Sequence, residues 1–207
     1  VGIGDDDGGG GGLFGGSLDS VALPALTTYD VDQLRTLDGV QTVIPRGSVE
    51  ITSVTDGRQT LVLDSLTATT TDAFNEDSIV AGRAFESGVG GEVVVSNSTV
   101  ERFGGNISVG DTLTIDYGDR REEVTIVGVA SQARGGFGSF GDFAPSVYVP
   151  TDPYYEEYGE TAQSANQGVE QTAYRQATIV ADPNDVSGTK ERVEAYLTES
   201  SDATQVL

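Results

Sequence analysis

The sequence predicts an α+β fold, a split βαβ or ferredoxin-like sandwich interrupted by a long β-rich insert. Two observations lead there. Helix and strand signals alternate at both ends of the chain, whereas the middle carries short valine-rich strands separated by glycine turns. Hydrophobic residues make up 37 % of the 207, which is enough to build a core, and they fall in alternating segments that a disordered acidic tail lacks. No internal repeat is visible.

Residues 1–20 are of low complexity, with Asp5–Asp7 followed by Gly8–Gly12, Gly15 and Gly16. Glycine at this density carries a high ordering entropy, so the segment reads as a flexible leader, with Val1–Ile3 as the end of a first strand. Thr27 with Asp30, and Leu26 with Val31, form a capping box and a hydrophobic staple. Val31, Leu34 and Leu37 then share a helix face, and Gly39 suits the C′ position. Val40–Ile44 reads as a strand stopped by Pro45. Alternation from Val49 to Val54, the Asp56-Gly57 turn and Leu61–Leu63 predict a hairpin. The polar, Thr-rich stretch from Ser65 to Asn75 reads as a crossover.

In the middle, Val93–Val95 reads as a buried strand. Ser96 or Asn97 caps a short helix with Val100 and Phe103 inward, closed by Gly104. Leu113, Ile115 and Tyr117 alternate with polar residues, Gly118-Asp119 turns the chain, and Val124–Ala130 pairs back. A Gly/Phe loop over 131–144 leads to Val147–Val149, ended by Pro150. Residues 151–172 are polar. Near the end, Ala177–Ala181 reads as a strand. Asp182 reads as the N-cap, Pro183 as N1 and Asp185 as N3 of a helix bearing Val186, Val193 and Leu197. Gly188 inside that helix costs about 1 kcal/mol relative to Ala, and Ala203–Leu207 reads as a closing strand. The expected organisation is a leader over 1–20, an α/β subdomain from 21–71 and 171–207, and a β-rich insert over 72–170.

Composition excludes whole classes of function. Asp and Glu number 33 against 11 Lys and Arg, a net charge of −22, with Lys190 the one lysine. Such a chain repels phosphate backbones and anionic lipid surfaces, so no nucleic acid is expected as a partner. Without Cys or His there is no thiol nucleophile, histidine base or ordinary zinc site. No catalytic residue, metal ligand or cofactor site is therefore expected. The acids are scattered through nearly every segment, which favours adaptation to molar salt over a patch for cations or basic partners. At 1 M salt repulsion is screened beyond roughly 3 Å. The apolar runs are far shorter than the ~18 residues of a membrane span. With no Met, the chain reads as a soluble domain excised from a longer protein.

Few motifs survive inspection. Gly136-Phe137-Gly138-Ser139-Phe140-Gly141 fits G-x-G-x-x-G, but Pro145 and a strand follow where a dinucleotide site needs a helix. Phe137, Phe140 and Phe143 are instead candidate contacts for a partner or substrate, as are Tyr154 and Tyr155, with Tyr158 beside them. The bland alternative for the tyrosines is packing at the edge of the core. Asp182-Pro183-Asn184 resembles the start of a calcium loop but lacks the later ligands. Asp5–Asp7 and the pairs Glu122-Glu123 and Glu156-Glu157 read as solvated. Asn97-Ser98-Thr99 and Asn106-Ile107-Ser108 are N-glycosylation sequons.

The order of segments resembles the extracytoplasmic domain of MacB/FtsX-type ABC transporter permeases. The resemblance rests on Pro24, Leu26 and Thr27 leading to Val31 and Leu34, then Leu37, Gly39-Val40, Val43 and Pro45. It continues through Gly82-Arg83-Ala84-Phe85, Glu92–Val95 with Phe103-Gly104, Val109–Leu113, Val124–Val129 and Val147–Pro150. The leader and the stretch from Gly159 to Gln171 depart from the pattern. The resemblance implies a porter-like α/β subdomain split by an inserted β-rich subdomain, called Sabre in this family. It also implies a place on the extracellular face of the cell membrane, while the scattered acidic charge points to a salt-loving host. Implied partners are the permease's own transmembrane helices, a cytoplasmic ATP-binding subunit and a second permease copy in a homodimer. The implied function is non-catalytic: coupling cytoplasmic ATP hydrolysis to extracytoplasmic movement and export. The alternatives are a secreted or cell-surface binding module for a peptide, lipid or sugar, and a carboxylate-only enzyme such as a glycosidase.

Overall fold

A computed structural model describes residues 26–75, 77–131, 145–156, 159–163 and 169–204. The expected first strand at Val1–Ile3, the Gly-rich leader and most of the Gly/Phe loop lie outside these residues. The described chain is α+β, mostly sheet with few helices.

The first helix forms for the reason its sequence suggests. β1 (Leu26–Thr27) ends on Thr27, whose side chain accepts from the Asp30 N–H, while the Asp30 carboxylate accepts from the Thr27 N–H at 2.9 Å. Helix α1 (Thr28–Arg35) follows, with Val31 and Leu34 buried. Its C-cap is Thr36, so Gly39 sits beyond the expected C′ position. The positive φ of Gly39, 81°, is used elsewhere. A Cβ there would lie 2.2 Å from Thr189 Oγ1, so the glycine lets the last helix approach.

Strand β2 (Val40–Glu50) runs straight through Pro45, where the sequence predicted a stop. The reason is positional. The Pro45 carbonyl accepts from Thr69 Oγ1 at 3.2 Å, on the side facing β5, and the β2–β5 ladder begins only at Arg46. The missing N–H falls where no ladder bond is required. The hairpin forms as expected, β3 (Ser53–Thr55) and β4 (Thr60–Val62) turning at Gly57 with φ 84°. The expected crossover over 65–75 is instead β5 (Ser65–Thr69), followed by a single 3-10 turn (Thr71–Ala73). Its Leu66 and Ala68 are buried, a period-two pattern hidden by the threonines around them.

The middle of the chain supplies β6 (Ile79–Gly82), β7 (Glu92–Ser96), α2 (Asn97–Arg102), β8 (Thr112–Asp116), β9 (Arg121–Ala130) and β10 (Val147–Pro150). Ser96, not Asn97, caps α2, accepting from the Thr99 N–H. After a π-type turn (Thr151–Tyr155) come β11 (Thr161–Gln163), β12 (Glu170–Tyr174) and β13 (Gln176–Ala181). The final helix, α3 (Val186–Thr204), starts later than expected. Asp182 accepts from the Asn184 N–H in a tight turn, and the helix opens on the Asp185 carbonyl, which accepts from the Thr189 N–H at 3.0 Å. The expected closing strand is corrected as well. Ala203 and Thr204 continue α3, and 205–207 lie outside the described residues.

One ten-stranded mixed sheet orders its strands β13-β2-β5-β10-β7-β9-β8-β3-β4, with β6 on β9. The β5–β10 and β7–β9 pairs are parallel and the rest antiparallel. A second sheet orders β1-β12-β11. The long sheet is buried on both faces in its centre. Val93, Val95, Val147 and Val149 join the main core with Val31, Leu34 and Val193 from the helices. Val94 and Tyr148, pointing the other way, join a smaller cluster with Phe74 and Phe85. Two-sided burial explains why Val93–Val95 is an unbroken apolar run.

Candidate functional site

The segment motifs in the middle of the chain turn out to be joints. Gly82 precedes Arg83, whose backbone N–H donates to the Val127 carbonyl at 2.9 Å. The Arg83 guanidinium grips Glu92 through two bonds of 2.5 and 3.0 Å, and Phe85 is buried two residues on. The Gly110 N–H donates to the Ile126 carbonyl at 2.8 Å. The Asp111 carboxylate accepts from the Ser108 N–H and hydroxyl, and Leu113 enters the core.

Three distant segments meet around an open cleft of about 560 Å³. Ser48, Val49 and Glu50 line it from the end of β2. Tyr117, Asp119 and Arg120 come from the β8–β9 turn, and Gly159 with Glu160 close the third side. The Arg120 guanidinium carbon lies 4.5 Å from the Tyr117 ring centre. Glu122 accepts from the hydroxyls of Tyr154 at 3.1 Å and Tyr117 at 3.4 Å. Glu160 accepts from Arg175 Nε at 3.0 Å. The Gly118-Asp119 turn is legible in the sequence, but the convergence of the three segments is not, because they lie about 40 to 110 residues apart and meet only through the sheet.

The tyrosines at this corner are core residues. Tyr154 and Tyr155 are 3 % and 0 % exposed, so neither offers a free face to a partner. Tyr155 stacks on Tyr174 at 5.3 Å and donates its hydroxyl to the Ala173 carbonyl at 2.8 Å. Its ring lies over two glycines. A Cβ at Gly47 would sit 2.1 Å from the ring, and one at Gly159 2.5 Å from it. Phe137, Phe140, Phe143 and Tyr158 lie outside the described residues, as does the glycine motif from Gly136 to Gly141. Asn97 is half-buried at the start of α2, whereas Asn106 is exposed in the loop beyond it.

The electrostatics favour ionised acids and neutral phenols. A hydrogen bond from Arg83 lowers the pKa of Glu92, one from Arg175 that of Glu160, and one from Arg192 that of Asp185. The backbone N–H of Gly118, then Arg121, does so for Asp116, and those of Gln59 and Arg58 for Asp56. Burial pushes Tyr155 and Tyr174 up and the half-buried Arg46 guanidinium down. Each resolved carboxyl shift among the described residues is downward, so none of these groups is held protonated as a general acid would be. Among the described residues, no group of three or more acidic side chains is arranged to hold a metal ion, and no helix is long and apolar enough to cross a membrane.

Comparison with known proteins gives a consistent result. The model of the MacB-like periplasmic core domain matches residues 4–196. No curated protein sequence matches the chain. Among solved structures, the extracellular domain of the noncanonical ABC-type transporter YknZ from Gram-positive bacteria aligns with a TM-score of 0.58 at 16 % identity, covering 84 % of this chain and 83 % of its own. The periplasmic region of MacB from Actinobacillus actinomycetemcomitans aligns with a TM-score of 0.58 at 16 % identity, covering 85 % and 76 %. At these identities the likeness shows a shared fold.

Proposed function

The chain belongs to the MacB-like periplasmic core domain family, and we propose that it serves an ABC-type efflux permease as a non-catalytic lever outside the membrane. In this reading ATP hydrolysis in a cytoplasmic subunit moves the permease helices, and paired copies of this domain move with them to drive export. Within the proposal, residues 21–71 and 171–207 act as the porter part and 72–170 as the Sabre-like insert.

One observation carries the reading. The ten-stranded sheet is continuous from β13, beside the last helix, to the β3–β4 hairpin at its far edge. A single core cluster joins residues from both ends of that sheet. Displacement imposed at one end is thereby transmitted to the other without loss in a soft joint. The lowered pKa values of Asp56, Glu92, Asp116, Glu160 and Asp185 and the burial of Tyr154 and Tyr155 fit a mechanical body better than an acid/base or binding site.

The absence of cysteine makes the test direct, since an engineered thiol in the domain has no native competitor. Val62 on β4 is 76 % exposed and suits a spin label. In the full permease, reconstituted with its ATP-binding subunit, the distance between Val62→Cys labels on the two copies changes between nucleotide-free and ATP-trapped states. Within one copy, the distance from Val62→Cys to Lys190→Cys stays constant. An inter-copy distance that ignores ATP rejects the coupling role.

A further inference from the structure

We propose that Asn106 is a site of N-linked glycosylation and that the neighbouring sequon at Asn97 is not. The inference rests on the extracytoplasmic placement argued above. Both segments carry the required Asn-x-Ser/Thr pattern, so the sequence does not separate them. Their surroundings do.

Asn106 lies in the loop between α2 and β8 and is exposed, as are Gly104, Gly105 and Ser108 around it. Its Nδ2 donates to the Phe103 carbonyl at 3.1 Å. A primary amide has two hydrogens on that nitrogen, so one is replaced by a sugar while the other keeps this bond. A Cβ at Gly104 would stand 3.1 Å from Nδ2, and nothing comes within 4 Å of the corresponding position at Gly105. Glycine at 104 thus adds no side chain beside the amide. Ser108 is exposed, and its hydroxyl donates to Asp111 three residues on, at 3.0 Å. Ile107 is the single buried residue of the sequon. Release of that one side chain presents the segment to an enzyme.

Asn97 differs at each point. It is the first residue of α2 and half-buried, and Ser98 and Thr99 are buried. The Thr99 hydroxyl donates to the Ser146 carbonyl at 2.8 Å and lies 3.0 Å from Ser96 Oγ. Presenting this sequon requires unwinding α2 and detaching it from the loop that enters β10.

The donor is a lipid-linked oligosaccharide with a phosphate at its anomeric carbon. Asn106 Nδ2 forms a bond to that carbon as the carbon–oxygen bond to phosphate breaks. The lipid phosphate leaves with the electron pair, and the amide proton passes to a base of the transferase.

The test uses the full transporter in its native host. Intact cells are treated with a membrane-impermeant amine reagent, and peptides containing Lys190, Asn106 and Asn97 are then analysed by mass spectrometry. Lys190 carries a side chain 47 % exposed and reports whether the domain faces outward. The expected result is label on Lys190, glycan on Asn106 and none on Asn97. The glycan should vanish in Asn106→Gln and also in Ser108→Ala, which keeps the asparagine. Labelled Lys190 with a bare Asn106, or with glycan on Asn97, overturns the proposal and leaves the placement standing. Lys190 labelled only after permeabilisation overturns the placement and the proposal together.

Discussion

Gly47 shows how one residue can hold a corner together by being absent. Tyr155 occupies the volume that any larger residue at 47 would need, with ring atoms 2.1 to 2.5 Å from the position of a Cβ. Gly47→Ala should destabilise the domain by about 1–3 kcal/mol, the usual range for overpacking. Chemical denaturation of the isolated domain measures it. Because the clash is with one ring, adding Gly47→Ala to Tyr155→Ala should have little further effect. An additive double mutant would mean that the strain lies elsewhere. At this scale the sequence was half legible. Its tyrosine cluster stands out, but the burial of Tyr155 depends on Gly47, Gly159 and Tyr174, which only the folded chain brings together.

Among the elements, the α1–α3 contact is the one most open to pH. Tyr196 on α3 donates its hydroxyl to Asp30 at 3.0 Å, and Asp30 is the residue that closes the cap of α1. Burial, assisted by the Asp30 charge, pushes the Tyr196 phenol up to about 12. A phenol in the unfolded chain titrates near 10. The folded form thus holds its proton more tightly, so this contribution is complete below about pH 10 and is lost as pH rises through about 12. Thermal unfolding across that window should fall more steeply for the natural sequence than for Tyr196→Phe. Equal slopes would remove Tyr196 as the source. The elements themselves were legible where local chemistry decides them: the Thr27–Asp30 cap, the turns at Gly57 and Gly118, and a cap at Ser96 or Asn97, of which the folded chain uses Ser96. They were misread where tertiary context decides. Pro45 is tolerated because no ladder bond is required on its side of β2. Asp182 resembles a cap, but its carboxylate closes a turn with the Asn184 N–H, and the helix begins three residues on, at the Asp185 carbonyl. The strand pattern expected from Ala203 gave way at Ala203 and Thr204 to continuation of α3.

At the scale of the whole molecule, charge dominates. Ion pairs such as Arg83–Glu92 and Arg192–Asp185 strengthen as salt is withdrawn. They are outnumbered, since 33 acids face 11 bases, and the unmatched acids repel one another over longer range. The domain should therefore melt at a lower temperature in millimolar than in molar salt. Calorimetry showing equal melting in both would exclude self-repulsion as a significant term. The clamp between the first and last helices has a further consequence, for the order of folding. The Tyr196–Asp30 bond spans 166 residues and the bond from Arg192 to the Asp38 carbonyl spans 154. Strand β13, which pairs β2 along its length, is made only shortly before them. A domain emerging N-terminus first gains β5 beside β2 early, but must hold α1 and the other edge of β2 without α3 and β13 until nearly all of the domain has appeared. Closure over such distances is slow and leaves a strand edge exposed meanwhile. The domain's vulnerable moment is thus late in its synthesis, and substitutions at the α1–α3 seam should lower yield before they lower the stability of molecules that have already closed.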